Sequence, residues 1–140
     1  MSRKKATRAA LFALAILLSL SIFVPTASAR GSNYILTCSA IMSAGSSGNV
    51  TASFWISGNG TMDQIGAISV DIYENGTLVK TFSHTTTAGM MASNTSLHYS
   101  SVTYTGIVGQ TYYACVTFQA GKNGGYDNRS INTSSVIAKN

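Results

Sequence analysis

The sequence predicts an all-β fold, an antiparallel two-sheet sandwich of about seven strands, and three observations lead to it. Beyond residue 29 the apolar residues recur with period two, as in Val50, Ala52, Phe54 and Ile56, and no stretch there sustains a helical period. Clusters of Gly, Asn and Ser interrupt the chain at intervals that suit short strands, and Asn75-Gly76 is the strongest of them, a two-residue type I′ hairpin turn. The run Tyr112-Tyr113-Ala114-Cys115-Val116-Thr117-Phe118, bounded by Gly109 and Gly121, is β-branched and aromatic with apolar residues on both faces. Such a run reads as a central strand.

Residues 1–29 read as a signal peptide and residues 30–140 as the β-sandwich domain. Arg3, Lys4, Lys5 and Arg8 form a basic n-region, Ala9 to Val24 is apolar and small, Pro25 ends the run, and Ala27-Ser28-Ala29 has the small-x-small form of a cleavage site. The apolar run is shorter than the ~20 residues of a spanning helix, so cleavage is expected, with a retained N-terminal anchor as the alternative. The expected product is secreted, extracellular or surface-associated, with no membrane attachment after cleavage. The formal charge of +5 is then an artefact of targeting: residues 30–140 hold five basic and four acidic residues, a net +1. A balance so near zero gives a nucleic-acid partner no support, and none is expected.

The strands follow in order. Tyr34–Met42 alternates, with Tyr34, Leu36, Cys38 and Ala40 on one face, and a Gly/Ser turn leads to Asn49–Ser57. In that second strand Val50, Ala52, Phe54 and Ile56 face inward and Thr51, Ser53, Trp55 and Ser57 outward. Ser57-Gly58-Asn59-Gly60-Thr61 reads as a loop. A third strand, Ile65–Glu74, points Ile68, Val70 and Ile72 inward and Ser69, Asp71 and Tyr73 outward. After Asn75-Gly76 the chain returns over Leu78–Ser83, with Leu78 and Phe82 inward. His84–Asn94 is the longest connection, Leu97–Tyr104 a strand, Gly121–Asn128 a glycine-rich loop and Ile131–Ala138 the last strand.

Two cysteines in an exported chain read as one disulfide, Cys38 to Cys115. It would close a loop of about 77 residues, worth roughly 4.5 kcal/mol in the chain-entropy treatment. With Cys115 inward for that purpose, Tyr112, Val116 and Phe118 point outward, on the non-core side with Trp55 and Tyr73.

Tyr113-Ala114-Cys115, with a distant upstream cysteine, resembles the tyrosine corner and inter-sheet bridge of immunoglobulin-like domains. Trp55 lies on the opposite side of its strand from that family's core tryptophan, and Cys38 sits in the first strand, so the resemblance implies a similar staple in a different sandwich. The chain is also similar to small exported bacterial β-sandwich proteins of uncharacterised families. The carrying segments are Thr61-Met62-Asp63-Gln64-Ile65-Gly66 before the strand Ile68–Tyr73, the Gly-containing hairpin, and Gly109-Gln110-Thr111-Tyr112-Tyr113. That resemblance implies a fold and no activity.

Little in the chain points to catalysis. His84 and His98 stand fourteen residues apart without a neighbouring acid, and no nucleophile-elbow motif appears. Asp63 reads as a loop cap and Glu74 as a turn residue, which leaves no carboxylate pair. Asn123, Asp127 and Asn128 offer hard oxygens but too few carboxylates for calcium, and two lone histidines make no zinc site. Six Asn-x-Ser/Thr sequons follow from the composition. No cofactor is expected. What rises above this background is the outward aromatic set Trp55, Tyr73 and Tyr112, which suits a glycan or a protein partner. The expectation is therefore a non-catalytic secreted or surface protein with a binding or structural role. The alternatives are a carbohydrate-binding module, and a small extracellular enzyme or enzyme inhibitor.

Overall fold

The computed structural model describes residues 32–140, so the signal-peptide reading of residues 1–29 lies outside the described residues. Seven strands follow one another: β1 (Ile35–Ala44), β2 (Asn49–Glu74), β3 (Thr77–Ser83), β4 (Met91–Thr105), β5 (Thr111–Lys122), β6 (Gly125–Asn132) and β7 (Val136–Ile137). The fold is all-β among these residues. Every pairing is antiparallel, and together the pairings join the strands into one curled sheet.

The 26-residue β2 organises that sheet. It contains both of the strands expected at 49–57 and 65–74, because the segment expected to be a loop between them is a bulge. Ser57 opposes Leu97 and Met62 opposes Thr95, so five steps along β2 face two along β4. Extra residues on one strand bend it and sharpen its twist without ending the ladder. Met62, 1% exposed, pins the bulge to the core.

Register settles which strand lies on which edge of β2. Over Val50–Ser57 both β1 and β4 pair with it, over Gln64–Gly66 both β4 and β5, and over Ser69–Glu74 both β3 and β5. Thus β1 and β5 share one edge, and β4 and β3 share the other. The bend brings β1 against β5, β6 and β7. Between the two halves lies one core, built from Val50, Ala52, Phe54 and Ile56, from Val70 and Ile72, and from the inner residues of β5. Phe54 meets Phe118 edge to face, with ring centroids 6.1 Å apart.

The inner residues of β5 correct the sequence reading. Tyr112, Ala114, Val116, Phe118 and Ala120 are all 0% exposed. Cys115 is on the outer face, opposite Asp71 and Asn132. Cys38 lies opposite Ile56, on the core side of β1. The thiols thus sit on opposite faces and both are free, so the expected disulfide does not form; a bridge needs Cβ vectors that converge. Alternation forces a choice on β5, and burying Tyr112, Val116 and Phe118, at about 1.5–3 kcal/mol for each large side chain, outweighs burying one thiol.

Asn75 and Gly76 take φ of 47° and 85°, the conformation a type I′ turn requires. Asn123 and Gly124, with φ of 53° and 80°, form a second turn of this kind between Lys122 and Gly125. A hairpin therefore stands where a glycine-rich loop was expected. On β3, Phe82 opposes Val70 and packs against the core, whereas Leu78 opposes Tyr73 beyond a bulge and is 51% exposed. The Lys80 ammonium rides 5.4 Å from the centre of the Phe82 ring.

Candidate functional site

Three strands, β1, β2 and β4, present an outer face that nothing covers among the described residues. Partners across an antiparallel ladder share a face, so the register groups the side chains into rows. Ser39, Trp55 and Tyr99 make one row, and Ile41, Ser53 and Ser101 the next. Alternation places them outward because Ala40, Phe54 and Val102 on the same strands turn toward the core.

The Trp55 and Tyr99 rings lie side by side, with centroids 6.2 Å apart and planes tilted by 34°. Trp55 is half-buried between its neighbours and Tyr99 stands 66% exposed. Together with the small serines around them they shape an open depression of about 400 Å³, with Ile41 at its margin. No charged side chain lines it. Chemically this is an apolar aromatic floor with hydroxyl groups at its border, suited to a ligand that is flat, uncharged and rich in hydroxyls.

The other two aromatics expected in this role lie elsewhere. Tyr73 is on the outer side of the second half of β2, stacked on Tyr113 at 4.8 Å with planes 3° apart, so one face of its ring is already occupied. Burial, and then the nearby Asp71 charge, push its hydroxyl pKa up. Tyr112 is a core residue, which removes it from any binding face. Its hydroxyl accepts a hydrogen bond of 2.8 Å from the Ile107 amide, five residues upstream, and donates to the Glu74 carboxylate. Burial raises the Tyr112 pKa, and the bond to Glu74 raises it further.

The titratable groups weighed for catalysis are each engaged in holding the fold. Asp63 accepts from the Asn123 amide at the β5–β6 turn, and Asp71 from the Thr81 hydroxyl on β3. One Asp127 oxygen accepts from Ser32 Oγ, Asn33 N and Tyr34 N at 2.8, 2.7 and 2.9 Å. These bonds, the one from Tyr34 N foremost, hold the Asp127 pKa below its ordinary value. His84 Nδ1 lies 3.2 Å from the Ile68 carbonyl and His98 Nε2 2.8 Å from that of Gly89, which ties down the connection from β3 to β4. Burial pushes both thiols up; at Cys38 it works against the adjacent Arg129, and at Cys115 the Asp71 charge adds to it.

Sequence reasoning missed Tyr99 as the companion of Trp55. Parity alone does not choose between the stripes of Leu97 with Tyr99 and of Val102 with Tyr104; the burial of Val102 puts Tyr99 on the outer face. No protein-family model, curated protein or solved structure matches the chain.

Proposed function

We propose that the protein is an exported, secreted or surface-associated, non-catalytic binding domain that holds a neutral glycan on the outer face of β1, β2 and β4. One observation carries this reading: half-buried Trp55 and exposed Tyr99 form an outward aromatic pair bordered by Ser39, Ser53 and Ser101 with no charge among them. Sugar rings present C–H faces that stack on aromatic planes and hydroxyls that exchange hydrogen bonds with serines. The structural engagement of all four acids of residues 30–140, and of both histidines, supports a role without catalysis. The near-zero charge of that region gives no long-range steering, so affinity has to come from desolvating the aromatic pair.

An immunoglobulin-like two-sheet sandwich is the finer description we attach to the curled sheet. Its support is the single core between the two halves, together with the Tyr112 hydroxyl reaching back to the Ile107 amide as in a tyrosine corner. The small exported bacterial proteins the sequence resembles share that architecture.

Binding to a panel of insoluble and soluble neutral polysaccharides tests the function. Trp55→Ala and Tyr99→Ala should each weaken retention by about tenfold or more, the scale of losing one anchor worth ~1.4 kcal/mol. Glycan binding that survives Trp55→Ala, or a panel with no binder, refutes the reading.

A further inference from the structure

A sheet with free edges offers unpaired N–H and C=O groups to any other strand, and proteins blunt such edges with charge, proline, bulges or cover. Most edges here are blunted. Strand β3 carries Lys80, β6 carries Asp127 and Arg129, and β1 packs against β5, β6 and β7 with Arg129 beside Cys38. Strand β4 is different. It is 15 residues long, pairs with β2 alone, and contains no proline and no Asp, Glu, Lys or Arg. Among the described residues no turn or loop makes a backbone hydrogen bond to Met91–Thr105. The Thr95 hydroxyl contacts the Leu97 carbonyl and amide at 3.1 and 3.4 Å, long contacts that an incoming strand would replace.

We infer that β4 is a self-association edge, paired in solution with β4 of a second copy of this chain about a two-fold axis. The inference goes beyond glycan binding and stands without it. The occupant follows from the strand itself. Asn94 takes a left-handed φ of 54° and Gly106 begins a turn, so the uninterrupted extended edge runs from Thr95 to Thr105 and its midpoint is Ser100. A strand paired with its own symmetry mate is antiparallel, and centring it on Ser100 uses the whole of that run. Residue by residue the match is self-complementary. Tyr99 faces Ser101 of the second copy, Leu97 faces Thr103, Thr95 faces Thr105, and His98 faces Val102. No like charges oppose one another, and the pairs are β-branched, aromatic or small.

Such a dimer has a consequence for the aromatic face. It extends the three-stranded outer surface to six strands, with Trp55 and Tyr99 of each copy in one track. The two tryptophans then stand three inter-strand steps of about 4.8 Å apart, plus the offset along the strands. A polymer could lie across both aromatic pairs.

Sedimentation equilibrium of the whole exported chain should show the mass rising from one chain to two with concentration. Leu97→Lys with Thr103→Lys places two lysine pairs face to face across the axis, on exposed positions, and should weaken the dimer about tenfold or more. Leu97→Glu with Thr103→Lys puts opposite charges at the same contacts and should restore it. Circular dichroism matching the wild type in both variants excludes unfolding as the cause. A monomer at every concentration overturns the inference, as does a dimer indifferent to the paired lysines. Loss in both double variants overturns the Ser100-centred register.

Discussion

Replacing Tyr112 with Phe tests the inward face of β5 more sharply than any truncation would. The ring stays, so its packing at 0% exposure and its contact with Tyr104 at 6.0 Å are kept, and the hydroxyl alone is removed. Two hydrogen bonds go with it. The bond to the Glu74 carboxylate is charge-assisted, a class worth about 1.5–3 kcal/mol when buried. The bond from the Ile107 amide is an ordinary one worth about 1 kcal/mol. Glu74 and Ile107 both reach solvent in part, and water recovers some of the loss, so we expect destabilisation of about 1–3 kcal/mol. Gly106 makes the site unforgiving, because a Cβ there would run into the Tyr112 ring.

Urea unfolding followed by far-ultraviolet circular dichroism reads this directly, as a lower midpoint at unchanged slope. The alkaline limb supplies an independent check. A hydroxyl whose pKa is raised in the folded state adds stability that is complete below its unfolded pKa, about 10 for tyrosine, and is lost as pH rises through the folded value. Wild-type stability should therefore fall above about pH 10 with a component that Tyr112→Phe lacks. A midpoint for Tyr112→Phe equal to wild type would refute the buried-hydroxyl account and return Tyr112 to an outer face.

Phe54→Ala should cost about 3–5 kcal/mol, since Phe54 is 2% exposed and packed on Phe118; Thr51→Ala, on the outer face, should cost little in the same titration. Thiol titration of the unreduced protein in denaturant should count two free thiols, and Cys38→Ser with Cys115→Ser should keep the native midpoint. Asp127→Asn should loosen residues 32–34, read as faster amide exchange at Asn33 and Tyr34. In the wild type the same loosening should come with acid: a lowered carboxyl pKa contributes stability above the unfolded value of about 3.9 that is lost as pH falls through the folded one.

Local demands on the chain were legible in the sequence, and long-range ones were not. Period-two alternation located the inner face of β2 at Val50, Ala52, Phe54 and Ile56, because one face of that strand is buried along its whole first half. The Asn75-Gly76 turn was legible because its two positive φ angles are a local demand that few residue pairs meet. Asn123-Gly124 makes the same demand but sits in a run of glycine and polar residues, where composition pointed to a loop. The continuity of β2 through Gly58–Thr61 was not legible. Whether such a stretch ends a strand or bulges within it depends on β4 continuing alongside and on Met62 finding a place in the core, and both are long-range facts.

On β5 the expected bridge and the packing of the strand conflict, and packing decides. A cysteine in an exported chain suggests a bridge, and the bridge dictated Cys115 inward and Tyr112 outward. The strand itself held the contrary answer: Tyr112, Ala114, Val116, Phe118 and Ala120 form an unbroken apolar stripe, while Tyr113, Cys115, Thr117 and Gln119 form the mixed one. A shift of one residue exchanges the two stripes, so there was no intermediate outcome. The same single step moves the expected role from Tyr113 to Tyr112, whose hydroxyl accepts from the Ile107 amide, and leaves Ala114 rather than a cysteine two residues on. Trp55 does face outward, as expected, because its strand is phased by Phe54 and Ile56 rather than by a presumed bond. The most apolar stripe of β5 by itself puts Tyr112 beneath the sheet. On β4 the stripes of Leu97 with Tyr99 and of Val102 with Tyr104 are nearly balanced, so Tyr99 comes to lie beside Trp55 only through the register with β2.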